Sequence, residues 1–140
     1  MTLRVRRDEL ARLHAHAEEG YPHEVVGILG GSRANNTVTR VVPLSNERAD
    51  SAHNRYKVSA LMLSRAEAAL EADGFEIVGY YHSHPDHPAR YSDYDRDHAW
   101  PNMSYLIVSV ASGTVANTLS WRLAEDRSVM HPESITVSED

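Results

Sequence analysis

His82-Ser83-His84-Pro85, followed by Ser92 and then Asp95, are the residues of this chain best suited to do chemistry. The two histidines stand at the end of the apolar run Phe75 to Tyr81, which reads as a strand. Side chains alternate along a strand, so His82 and His84 share one face. A carboxylate brought in by the next turn, Asp95, completes a three-donor set with one position open. That is the form of a catalytic zinc site, where water holds the fourth place, and the chemistry it serves is metal-assisted hydrolysis. Taken alone, the same residues also admit a bland reading. The histidines can be polar residues at a strand end, and Ser92-Asp93-Tyr94-Asp95 can be a helix cap, with Ser92 at the N-cap and Asp95 in the first turn.

The elements that must position these residues are mixed α and β. Arg7 to Glu19 reads as a helix with Leu10, Leu13 and Ala17 on one stripe, Glu9 among the acids off it, and Gly20 as its stop. Val25 to Leu29 is a short buried strand closed by Gly30-Gly31, Ser32 to Asn36 a turn, and Thr37 to Leu44 the returning strand of a hairpin. Asn46 to Arg55 is polar loop. A second helix spans about Ser59 to Ala72, with Met62, Leu63, Ala66, Ala69 and Leu70 on one face and Gly74 at its end. After the histidine strand, Ser92 to Trp100 is a short polar helix stopped by Pro101. Tyr105 to Val110 is a central strand, and Leu119, Trp121 and Leu123 alternate with Ser120 and Arg122 on a strand with one wetter face. Ile135 to Val137 is a last, edge strand. Strands with helices between them, together with short hairpins, point to an α/β sandwich with a mixed, mostly antiparallel sheet flanked by helices, in one domain over residues 1–140.

The bulk composition fits a small cytoplasmic enzyme. A net charge of −6 and a pI near 5.8 argue against nucleic acid as a partner, because no basic patch is present to neutralise phosphates. The absence of cysteine excludes disulfides, thiol nucleophiles and cysteine zinc ribbons. The segment MTLRVRRDEL has no apolar core of a signal peptide, and no run approaches the roughly 20 apolar residues of a membrane span. His87 reads as a solvated or substrate-facing loop residue. His14, His16, His23, His53, His98 and His131 have no partner spacing and read as surface or structural, while Arg55-Tyr56 and Trp100 read as packing.

Glu24 changes the weight of the histidine motif. It lies in Tyr21-Pro22-His23-Glu24-Val25-Val26-Gly27, between helix and strand. With His82-Ser83-His84-Pro85, seven residues to Ser92 and two more to Asp95, the chain resembles the JAMM (MPN+, Mov34/PAD-1) metalloprotease family, whose pattern is Glu, a long gap, His-x-His, seven residues, Ser, two residues, Asp. The resemblance extends to Val78-Gly79-Tyr80-Tyr81 and to Trp100-Pro101 with Ser104 to Ser109, and covers roughly residues 3 to 125. It implies the MPN/JAB-type fold, related to cytidine deaminases. It also implies one Zn²⁺ per chain on His82, His84 and Asp95, with water in the fourth position. Glu24 would be the general base and acid, and Ser92 the donor to the oxyanion. An iron or cobalt ion suits the same donors.

Two departures qualify the resemblance. Val26 stands where family members often carry Cys, which removes a thiol but no catalytic atom. The chain also lacks room for the two insertions with which eukaryotic relatives grip ubiquitin, so it looks like the compact prokaryotic branch. That branch implies a deubiquitinase-like peptidase or isopeptidase acting after the C-terminal Gly-Gly of a ubiquitin-like or sulfur-carrier protein of the ThiS/MoaD type. A glycine tail suits a confined metal site, here walled by Tyr80, Tyr81 and Tyr91, and could add as a strand to a sheet edge. The alternative is a non-catalytic MPN-type scaffold, and a third reading is cleavage of a small amino-acid adduct from the same tail. The sequence leaves open the carrier, the leaving group and the oligomeric state.

Overall fold

The structure, a computed structural model, describes residues 1–44 and 60–139. The expected loop at Asn46 to Arg55, the start of the second helix at Ser59, and the readings of His53 and Arg55-Tyr56 lie outside the described residues.

The chain opens with a strand, β1 (Thr2–Arg6), that leads directly into helix α1 (Arg7–Gly20). The hairpin β2 (Val26–Ser32) and β3 (Thr37–Leu44) follows, then α2 (Ala60–Ala72) and the histidine strand β4 (Glu76–Pro85). The short helix α3 (Asp93–His98) precedes β5 (Ser104–Ala111), β6 (Thr114–Leu123) and β7 (Met130–Ser138). The α/β class and the mixed, mostly antiparallel sheet are as expected. The sheet in addition closes on itself, in the order β1-β3-β2-β4-β5-β6-β7, with β7 paired back to β1. β1 is the element the sequence reading missed. Its Leu3 and Val5 are fully buried while Thr2 and Arg4 are exposed, a period-two pattern over only five residues. Parallel pairing of Thr2 to Arg6 with Ser134 to Ser138 places β7 between β6 and β1, so β7 is not an edge strand.

Alternate strand residues feed cores on opposite faces of the sheet. Leu29, Val41, Val78, Leu106 and Val108 pack with Leu13 and Ala17 of α1. Val26, Ile28, Leu44 and Ile77 pack against Leu70 of α2, and Ile107, Trp121, Leu123 and Met130 against Ala89 and Ala99, which precede and follow α3. A full burial of one Leu or Ile side chain stabilises by about 1.5–3 kcal/mol, so these faces fix the register of every strand.

Three local readings are corrected. Glu9 is buried on the same face of α1 as Leu13 and Ala17 rather than off that stripe, and its carboxylate accepts the Val41 amide of β3 at 2.7 Å. Gly30 and Gly31 do not close β2. The strand runs through them with a bulge, and a Cβ on Gly31 would lie 1.9 Å from the Thr37 carbonyl oxygen. On β6 Leu119 is exposed and Ser120 buried, since Ser120 Oγ donates to Glu133 Oε1 at 2.7 Å. Asn36 Nδ2 and Arg122 Nη1 donate to the other oxygen of Glu133 at 3.0 and 3.4 Å, so the buried carboxylate is satisfied by three side chains, two from β6 and one from the β2–β3 turn. Among the described residues no helix is long and apolar enough to cross a membrane.

Candidate metal centre

β4 aims the histidines. Its pairing with β2 shifts register after Leu29, which leaves Val78 as an extra residue opposite no partner. The bulge resets the alternation: Ile77 and Tyr80 face α2, whereas Val78 and Tyr81 face α1. From Tyr80 onward the period of two holds, and His82 and His84 follow on the Tyr80 face. Their Nε2 atoms lie 3.1 Å apart.

The third donor comes from α3. Ser92 and Asp95 form a reciprocal capping box: Ser92 Oγ accepts the Asp95 amide at 3.1 Å, and the Ser92 amide donates to Asp95 Oδ2 at 2.9 Å. The box turns the Asp95 carboxylate inward, with Oδ1 3.2 Å from His82 Nε2 and Oδ2 3.4 Å from His84 Nε2. The cap and the metal-ligand readings of Ser92-x-x-Asp95 are therefore one arrangement, since the cap aims the carboxylate. His84 Nδ1 lies 2.9 Å from the Pro88 carbonyl oxygen, which can only accept, so Nδ1 carries the proton and Nε2 points its lone pair at the centre when the ring is neutral.

The separations test whether a zinc ion fits. Donors at 2.0–2.1 Å from a tetrahedral ion are about 3.3–3.4 Å from one another. The three contacts measure 3.1, 3.2 and 3.4 Å. Two neutral imidazoles whose Nε2 atoms face each other can share at most one proton, whereas a cation satisfies both lone pairs and the carboxylate together. Only 8% of the Asp95 side chain is exposed. Burial pushes its carboxyl up, but hydrogen bonds from His82 and His84, the His82 charge and the Ser92 amide outweigh burial and hold it well below the usual carboxylate range. Burial pushes His84 down, and bonding to Asp95 and to the Pro88 carbonyl, with the charges of Asp95 and Glu24, outweighs it, so its pKa is raised. The set is one of concentrated negative potential that favours a cation or a proton.

Glu24 sits just before β2. Val26 pairs with His82 in an antiparallel register, so two residues back along β2 and two forward along β4 Glu24 comes opposite His84, whose charge it feels. The Val25 amide donates to Ser83 Oγ at 2.9 Å, and the Ser83 amide to the Val25 carbonyl at 3.0 Å. All five residues expected at the site are thus brought together from β4, α3 and the α1–β2 segment.

Several residues that shape the site gave no such signal. Trp121 Nε1 donates to the Ala89 carbonyl at 3.0 Å and its ring meets Tyr91 edge-on, while Ser109 Oγ donates to the His87 carbonyl at 2.6 Å. These bonds pin the loop between β4 and α3. His87 is exposed, as expected of a loop histidine. Beside His82 opens a groove of about 840 Å³, with Leu63, Glu67, Tyr80, Tyr94, Trp100 and Met103 among its walls. Trp100 is 67% exposed there rather than packed in a core, and its backbone amide donates to the Tyr105 hydroxyl. His98 also lines the groove, stacked on Tyr94 with ring centroids 4.0 Å apart. Of the three expected tyrosine walls, Tyr80 and Tyr81 line the groove, although the Tyr81 side chain is buried in the α1 core with its hydroxyl 2.7 Å from His16 Nδ1. Tyr91 packs on Trp121 instead.

Fold and site together define a three-donor metal centre built between a strand of a closed mixed barrel and the short helix that follows it, with an acid beside it. Comparison with known proteins gives the particular family. Residues 6–124 match the model of the prokaryotic homologs of the JAB domain, and the chain belongs to that family. It is 38% identical over 100 residues to a desampylase of Haloferax volcanii, covering 68% of this chain and 71% of that protein. It is 36% identical over 107 residues to a probable TtuB-protein conjugate cleaving protease of Thermus thermophilus, covering 76% and 70%. A solution structure from Desulfitobacterium hafniense superposes with a TM-score of 0.82 at 29% identity over 100% of this chain and 94% of that one. A JAB1/MPN domain protein from Archaeoglobus fulgidus, 16% identical, shares the fold with a TM-score of 0.62 over 98% and 97%.

Proposed function

We propose that this chain is a zinc-dependent isopeptidase of the JAMM type. It hydrolyses the amide bond that follows the C-terminal Gly-Gly of a ubiquitin-like or sulfur-carrier protein, in the cytoplasm. The observation that carries the reading is the match of the three donor separations to the edges of a zinc tetrahedron, with Glu24 across the strand and a groove leading away. The desampylase and the probable TtuB-protein conjugate cleaving protease, of each of which this chain covers about 70%, support the substrate class.

His82, His84 and Asp95 would hold one zinc, leaving its fourth position to water. A zinc ion so held would supply Lewis acidity, lowering the pKa of a water to about 7 and polarising the scissile carbonyl. Glu24 takes a proton from the attacking water on a carboxylate oxygen and delivers it to the leaving nitrogen, so that one group serves as base and then acid. Ser92 accepts the Asp95 amide through its oxygen, which leaves its hydroxyl proton to donate to the carbonyl oxygen as negative charge gathers there. The groove beside His82 receives the extended tail. A Cβ next to the scissile bond would crowd the buried wall formed by His82 and Asp95, whereas glycine lets the carbonyl approach.

The test is mass spectrometry of carrier adducts ending in Gly-Gly, joined to a lysine or extended by an amino acid, incubated with wild-type and Glu24→Gln protein. Zinc-dependent cleavage after Gly-Gly by the wild type, lost in Glu24→Gln while zinc is retained, is the expected result. Replacing the terminal glycine by alanine should slow cleavage more than tenfold. No cleavage of any adduct by zinc-loaded protein would favour a scaffold, and loss of zinc from Glu24→Gln would make Glu24 a ligand instead of the base.

A further inference from the structure

The segment that carries Glu24, residues 21–25, has no regular secondary structure and so no ladder of its own to fix the base. It is nevertheless fastened to β4 and the residues after it at both ends. At one end the Val25 amide and carbonyl pair with Ser83, the residue between the two histidines. At the other end the Tyr21 hydroxyl donates to Asp86 Oδ2 at 2.6 Å. Asp86 lies two residues past His84 and is itself fixed. Its other oxygen accepts the Ser112 amide at 2.9 Å, and its own amide donates to the Val110 carbonyl at 2.7 Å. Its backbone holds φ +57°, a left-handed conformation that Asp tolerates through local hydrogen bonding. The β5–β6 turn, β4 and the α1–β2 segment therefore meet at one carboxylate.

We infer that Tyr21, Asp86 and Ser83 are positioning residues that hold the Glu24 carboxylate at a fixed place relative to His82 and His84. The inference rests on Glu24 being the proton shuttle. Its physical basis is the steep dependence of proton transfer on distance: a displacement of about 1 Å costs on the order of 10²-fold in rate. With the Tyr21–Asp86 bond gone, the segment loses one of its two fastenings to β4 and the residues after it, while the Val25–Ser83 pairing and the His23 amide on the Gly20 carbonyl remain, and the place of Glu24 shifts with the loosened segment. An exposed hydroxyl–carboxylate bond adds little to global stability, so releasing it alters the place of the base and leaves the barrel intact.

The experiment compares wild type with Tyr21→Phe, which deletes one hydroxyl and keeps the ring, and with Asp86→Asn, which keeps an acceptor oxygen and a side chain at ease at positive φ. Zinc content, melting temperature, kcat and KM on a Gly-Gly adduct, and amide exchange of residues 21–26 are measured on each zinc-loaded protein. Tyr21→Phe is expected to lower kcat by roughly tenfold or more with KM, zinc content and melting temperature unchanged, and to speed exchange at the Val25 amide. Asp86→Asn is expected to lose less. Unchanged kcat and exchange in Tyr21→Phe would overturn the assignment, as would a loss of zinc or a rise in KM that accounts for the whole effect. If the wild type cleaves no adduct, the proposed function fails by itself, and the exchange at Val25 then decides alone whether Tyr21 fixes the segment.

Discussion

Ser92→Ala separates the two tasks the structure gives this hydroxyl. As a cap it accepts the Asp95 amide at 3.1 Å, and losing a serine cap costs about 1 kcal/mol. That cost falls on α3, a six-residue helix. The half of the box that aims the carboxylate uses the Ser92 backbone, whose amide donates to Asp95 Oδ2 at 2.9 Å, and alanine retains it. Zinc affinity should therefore fall by about fivefold at most, if the full cap energy of roughly 1 kcal/mol is charged to the ligand. As an oxyanion donor the same hydroxyl is worth about 10²–10³ in kcat, or about 2.7–4 kcal/mol. The two magnitudes differ enough to be told apart. The assay is kcat at saturating zinc, with zinc affinity by competition against a chromogenic chelator and Ser92→Thr as the variant that keeps both functions. A hundredfold or greater loss of kcat that added zinc does not restore is expected. If saturating zinc restores the rate, Ser92 is a cap alone, and the oxyanion must find another donor.

Metal-replete protein should hold about one zinc per chain, and the His82→Ala/His84→Ala double variant none, by elemental analysis. The pH dependence follows from the signs of two shifts. In metal-free protein the raised His84 stabilises the fold below its unfolded value of 6.5, and that contribution is lost as pH rises through its folded pKa. The depressed Asp95 stabilises above its unfolded value of 3.8, and that contribution is lost as pH falls below it. Metal-free stability in denaturant titrations should thus be greatest between these values, whereas zinc affinity should rise with pH through His84 deprotonation, because the ion needs the neutral ring. Trp100→Ala should raise KM for a carrier conjugate several-fold and shift the melting temperature little, since the 67% exposed ring has few contacts to lose.

The site was more legible in the sequence than the frame that holds it. His82 and His84 obey a period of two, and Ser92-x-x-Asp95 obeys the geometry of a helix cap, so short-range rules were enough to place three donors. Glu24 needed a long-range fact, the pairing of β2 with β4, which no local pattern supplies and which entered through the family pattern. β1 went unread because two apolar residues among arginines make a weak strand signal. The burial of Glu9 and Ser120 depends on partners at Val41 and Glu133, far along the chain. The exposed ring of Trp100 could not be told from a packed one, because aromatic residues dominate cores and binding grooves alike.

The closure of the sheet also decides how a partner can approach. Each strand has a neighbour on both sides. Where β3 outruns its short pairing with β1, the Val41 amide is already taken by Glu9. A carrier tail docking as an added strand, as the sequence suggested, is therefore confined among the described residues to short stretches outside the ladders, such as residues 114–119 of β6, which lie beyond its pairing with β7. The same seam imposes an order on synthesis. β1 is made first, yet it lies beside β7, and Arg7 and Glu139, which form an ion pair across that seam, are 132 positions apart. Leu3 and Val5 thus gain their final neighbours only once residues 134–138 have been made. Contacts of such separation slow folding, so on the ribosome the barrel stays open, its first strand only half paired, until residues 130–138 have emerged.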